Sequence, residues 1–77
     1  MKTTTPDRVR YIDVYGALYY IRWEDMQVGH SVFIKTSASA KVVKQAIAPA
    51  AKYFSFYLKV HNRCEFGYYG VRIWRMG

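Results

Sequence analysis

The residue types able to do covalent chemistry are few in this chain, and their spacing does not assemble a reaction centre. His61, Cys64 and Glu65 form an H-x-x-C-E cluster, with His30 far from it. A structural zinc site needs four nitrogen or sulfur ligands at recognisable spacing, and one Cys with two His does not supply them. Cys64 and His61 hold a nucleophile and a base in principle. No third group orients that base, and no second motif supports acyl transfer. Glu24 and Asp25 are adjacent carboxylates that a turn directs to opposite sides, which suits a solvated loop better than an acid–base pair. The five glycines, at 16, 29, 67, 70 and 77, form neither a dinucleotide fingerprint nor a phosphate loop. The expectation is a non-enzymatic protein with no catalytic residue, no metal and no cofactor.

A second set of residues points to binding. Strand-like stretches alternate rings with cations: Phe33 and Lys35, Tyr57 and Lys59, Arg72 and Trp74. Tyr20 and Arg22 join them if the second strand keeps the same register, and Arg75 is a further cation on the last strand. Bases stack on aromatic rings while Lys and Arg neutralise phosphates, which is what single-stranded nucleic acid requires. The same rings could equally cover a protein interface or pack a homodimer, because an exposed aromatic patch marks a contact without naming it.

Composition bounds these readings. The 77 residues make one domain, near the lower limit for folding without staples. A hydrophobic fraction of 52% is too high for a disordered chain. Twelve Lys and Arg against five acidic residues give a net charge of +7, which favours an anionic partner: nucleic acid or an acidic protein surface. The single cysteine permits no intrachain disulfide, which favours an intracellular setting. MKTTTPDRVR lacks the apolar stretch of a signal peptide, and no apolar run is long enough to span a bilayer, so no membrane role is expected.

These side chains need elements to carry them. Residues 1–7 read as a flexible tail. Arg8–Val14 and Leu18–Trp23 read as strands joined by a Gly16-Ala17 turn, although the first does not show which face is buried. A second turn is expected over Gln27–His30 around Gly29, followed by a strand over Ser31–Lys35. Ser37 or Ser39 can cap a helix over Ala38–Tyr53, with Val43, Ile47, Ala50 and Phe54 on one stripe. Pro49 predicts a kink or break near Ala46–Ala48. Phe54–His61 alternates cleanly as a fourth strand, Asn62–Gly67 reads as a polar loop, and Tyr68–Met76 returns as the fifth strand with Tyr69, Val71 and Ile73 inward. The resulting fold is α+β: an antiparallel sheet of about five strands, in β-β-β-α-β-β order, with one helix on one face. The other face is left open for the ring-and-cation set. Trp23, Met26 and Val28 are expected to close the end of the core.

The stretch W-x-x-M-x-V-G-x-S-x-F, carried here by Trp23, Met26, Val28, Gly29, Ser31 and Phe33, is distinctive. So is G-V-R-I-W-R at Gly70–Arg75, with Phe56 between the two. Together they resemble a group of small bacteriophage and prophage proteins that brings no assigned chemistry with it. His30 stands where that group usually has Asp. The resemblance implies a phage origin, action in the host bacterial cytoplasm, and one of two roles. The first is handling nucleic acid, single-stranded DNA or RNA. The second is inhibiting a host bacterial protein, as an anti-CRISPR-like or polymerase-binding factor.

Overall fold

The computed structural model describes residues 7–77. All but Asp7 of the expected flexible tail lies outside the described residues, and Asp7 opens a helical turn. The protein is α+β, with two antiparallel sheets and one long helix. A helical turn, α1 (Asp7–Arg10), leads into β1 (Tyr11–Val14) and β2 (Ala17–Tyr20), which form a two-stranded hairpin. A short 3-10 turn over Trp23–Asp25 follows, then β3 (Ser31–Lys35), α2 (Ala40–Phe54), β4 (Leu58–Glu65) and β5 (Tyr68–Arg75).

The five strands do not form one sheet. β3, β5 and β4 make a three-stranded sheet in that order, and the β1–β2 hairpin stands apart from it. The reason lies at Trp23. Its side chain is fully buried and its indole Nε1 donates to the Val9 carbonyl at 2.7 Å, drawing the chain after β2 into the core rather than along an edge. A side-chain bond replaces a ladder at this point: the Tyr19 hydroxyl donates to the Lys35 carbonyl on the outer edge of β3.

Several boundaries shift for identifiable reasons. Residues 8–10 are helical, not extended, which turns Val9 inward beside Ile12 and Val14. The first hairpin turns at Tyr15-Gly16, not Gly16-Ala17. Both turn residues have positive φ (53° and 82°), and Asp13 Oδ1 accepts from the Gly16 N–H. A turn that needs positive φ at both positions favours Gly in the second. The helix is capped by Ser39, whose side chain accepts from the Val42 N–H, and it continues unbroken through Pro49. Ile47 and Ala50, buried on either side of Pro49, anchor it to the sheet and override the local defect. It ends at Ser55 in a left-handed conformation, where the Ser55 N–H reaches the Ala51 and Lys52 carbonyls.

That C-cap absorbs Phe54, so the fourth strand starts at Leu58. It runs through the supposed 62–67 loop to a two-residue turn at Phe66-Gly67. The polar residues there belong to a strand whose two faces are both exposed from His61 to Cys64. Val28 and Tyr69 are exposed rather than in the core, whereas Trp23 and Met26 are buried as expected. The helix stripe of Val43, Ile47 and Ala50 meets Ile34, Val71 and Ile73, all buried.

Candidate nucleic-acid interface

The register of the three-stranded sheet places side chains on its open face in cross-strand rows. Trp74 on central β5 lies between Ser31 and Lys59, and Arg72 lies between Phe33 and His61. Gly70 lies between Lys35 and Arg63, and Tyr68 lies beside Glu65. Side chains on one face alternate with those on the other, so the interleaved residues Val32, Ile34, Val71, Ile73, Leu58 and Val60 face α2 instead. Alternate residues on a strand are about 6.8 Å apart, so the rows lie one ring-width or more from each other.

Within this grid the rings and cations already touch. The Lys35 ammonium sits 4.0 Å from the centre of the Tyr68 ring. The Arg63 guanidinium lies over Trp74 at 5.8 Å, and His61 meets Trp74 edge-on, also at 5.8 Å between ring centres. Cations near aromatic faces are attracted by the ring quadrupole, which holds both side chains ready at modest cost.

The cations are not equivalent. Arg72 donates through Nε to Glu65 Oε2 at 2.7 Å and through Nη2 to Glu65 Oε1, while Nη1 donates to the Ser31 hydroxyl. The Arg72 hydrogen bonds hold the Glu65 carboxyl below the usual carboxylate range, and Arg63 at 3.3 Å adds to the effect. Arg72 is correspondingly raised by its bond to Glu65. This bidentate pair makes Arg72 a brace of the face, which leaves Lys35, Lys59 and Arg63 as its exposed cations.

Gly70 exists for the face. A Cβ there would collide with the Ile34 carbonyl oxygen and meet the Phe33 ring at 2.6 Å, so the Phe33 ring occupies space that only Gly vacates.

The residues expected from sequence to make contacts do not all share one surface. Phe33, Lys35, Lys59, Arg72 and Trp74 share the open face. Tyr57 is highly exposed and extends the β4 line, with its carbonyl accepting from the Met76 N–H. Arg75 falls on the opposite side: it donates to the Met26 and Gly77 carbonyls and lies 3.8 Å over the Phe56 ring. Tyr20 and Arg22 belong to the separate hairpin and the turn after it. Tyr20 packs on Tyr11, and Arg22 pairs with Asp25 at 3.1 Å. Both border a cleft of about 560 Å³ beside the outer edge of β3.

His61, Arg63, Glu65 and Tyr68 also belong to the face. The period of two through Tyr57, Lys59 and His61 continues to Arg63 and Glu65, which the expected end of the strand at His61 leaves out. Cys64 lies on the other side of β4 from His61 and Glu65, so the H-x-x-C-E cluster does not converge. Glu24 pairs with Arg10 rather than with Asp25. Among the described residues no group of acidic, His and Cys side chains is placed to hold a metal ion, and no helix is long and apolar enough to cross a membrane.

No protein-family model, curated protein or solved structure matches this chain.

Proposed function

We propose that this is a non-enzymatic protein that binds single-stranded DNA or RNA, with little sequence preference, across the open face of the β3–β5–β4 sheet. One observation carries the reading. Trp74, Phe33, His61 and Tyr68 share a single sheet face with the exposed cations Lys35, Lys59 and Arg63. Rings stack bases irrespective of identity, and cations track the backbone. A phage origin and action in the host bacterial cytoplasm belong to the same proposal, supported by the two motifs at Trp23–Phe33 and Gly70–Arg75. Anisotropy titration with labelled single-stranded DNA tests it. Binding tighter than ~100 μM at low salt, weakening steeply as salt is raised, is the expected result. Salt-independent binding, or none in that range, refutes it.

A second reading is inhibition of a host protein by surface contact, and the hairpin tips favour it. Phe66 is 89% exposed and Tyr15 is 71% exposed, each in a left-handed turn position where Asn or Gly is the easier choice. Exposed aromatics at strained positions suit insertion into a partner pocket. A pull-down from nuclease-treated bacterial lysate separates the readings: a stoichiometric protein partner supports inhibition.

A further inference from the structure

We infer that the outer edge of β4, with the groove between it and α2, is a docking site for an extended peptide that alternates acidic and apolar residues. The site shares Lys59, His61 and Arg63 with the open face but does not rest on the nucleic-acid reading, because its backbone hydrogen bonds are made by the strand edge.

The hydrogen-bonding alternation sets up the edge. The β3–β5 ladder continues past its ends through bonds of the odd-numbered residues Tyr69 and Arg75, which leaves the even-numbered residues of β5 to bond β4. Their partners across the ladder are Lys59, His61, Arg63 and Glu65. The backbone N–H and C=O groups of Leu58, Val60, Asn62 and Cys64 therefore point away from β5, and β4 is the last strand in its sheet. Eight residues is a long edge, and an unpaired edge is a template for strand addition.

The surroundings specify the occupant. Beside the edge lies a groove of about 420 Å³ floored by Ile47, Ala51, Phe56 and Val60, with Lys44 on its rim. An added strand would place the side chains opposite Leu58 and Val60 into this groove, where apolar residues fit. The intervening side chains would stand on the open-face side, opposite Lys59, His61 and Arg63. Those positions are non-hydrogen-bonded pairs, in which cross-strand side chains approach most closely, so acidic residues are matched there and basic ones repelled. Antiparallel pairing of β4 with itself about His61 sets Lys59 against Arg63, which disfavours a second copy of this chain in that register. The basic row leaves the edge open to an acidic strand.

The test uses the intact protein with two capped peptides, Val-Glu-Val-Glu-Val-Glu-Val and its Lys counterpart, observed by amide NMR and hydrogen exchange. The acidic peptide is expected to bind at least about tenfold more tightly and to protect the Val60 and Asn62 amides while leaving those of Ser31 and Phe33 unchanged. Lys44→Glu with Lys59→Glu, both at exposed positions, should reverse the peptide preference. Ala48→Tyr, on the exposed face of α2 at the groove wall, should abolish binding with Tm unchanged. Equal affinity for both peptides, protection elsewhere, or no binding of the acidic peptide below about 1 mM overturns the inference.

Discussion

Glu65 and Arg72 face each other across the β4–β5 hairpin, with both carboxylate oxygens held by one guanidinium whose remaining nitrogen reaches the Ser31 hydroxyl on β3. One ion pair therefore ties together all three strands of the sheet on the face that is otherwise open. Bidentate Arg–carboxylate geometry is the form of ion pair most able to fix orientation. It also neutralises one of the positive charges on that face.

Glu65→Gln should have two opposed effects. The carboxyl titrates below its ordinary range in the folded state, so its contribution to stability is present above that range. That contribution is lost as pH falls through the lowered folded-state value. Tm measured from neutral to strongly acidic pH should show this loss in the native protein and a flatter profile in the variant. At neutral pH the variant frees Arg72, and its affinity for single-stranded DNA should rise. A fall in that affinity would show that the brace, not the charge, governs binding.

Gly70→Ala should destabilise the protein by about 1–3 kcal/mol, because the new Cβ collides with the Ile34 carbonyl and the Phe33 ring. Adding Phe33→Ala should recover only part of the loss, since the clash with backbone remains. Thermal unfolding of both variants checks this, and full recovery would place the whole strain on the ring.

Trp74→Ala should weaken single-stranded DNA binding by about 1–3 kcal/mol with little change in its salt dependence, as expected for a lost stacking surface. Lys59→Ala should instead reduce the slope of log K against log salt by about 0.7 for each phosphate contact removed. Arg75→Lys, off the open face, should leave both quantities near their native values.

Pro49→Ala should raise Tm. Pro49 is exposed within α2, and Ala restores the backbone donor that Pro lacks and removes its crowding of the preceding turn. An unchanged or lowered Tm would mean that packing of Pro49 near Val9 and Tyr53 outweighs the helix defect.

Trp23→Phe should cost on the order of 2 kcal/mol or more. It leaves the Val9 carbonyl without its indole donor in a fully buried site and removes ring volume from the core. Chemical denaturation of the two proteins measures it.

Local pattern was enough to place β3, the long helix with its Val43–Ile47–Ala50 stripe, and the last strand, while the choice of Ser39 over Ser37 as its cap came from the structure. It also placed Phe33, Lys35, Lys59, Arg72 and Trp74 on one face, because side-chain alternation in a strand is independent of its neighbours. Sheet membership was not local. β1 and β2 carry the residues of good strands, yet burial of Trp23 diverts the chain before it can add them to the sheet. The boundary at Phe54 could be read either way, as the last rung of the helix stripe or the first beat of a strand, and only the left-handed cap at Ser55 decides for the helix. Two roles came solely from tertiary structure. Arg72 is spoken for by Glu65, a residue on the strand hidden behind apparent loop letters, and Arg75 turns to Phe56 and the Met26 carbonyl. Composition can state that cations are abundant; which of them remain unpaired depends on partners brought together by the fold.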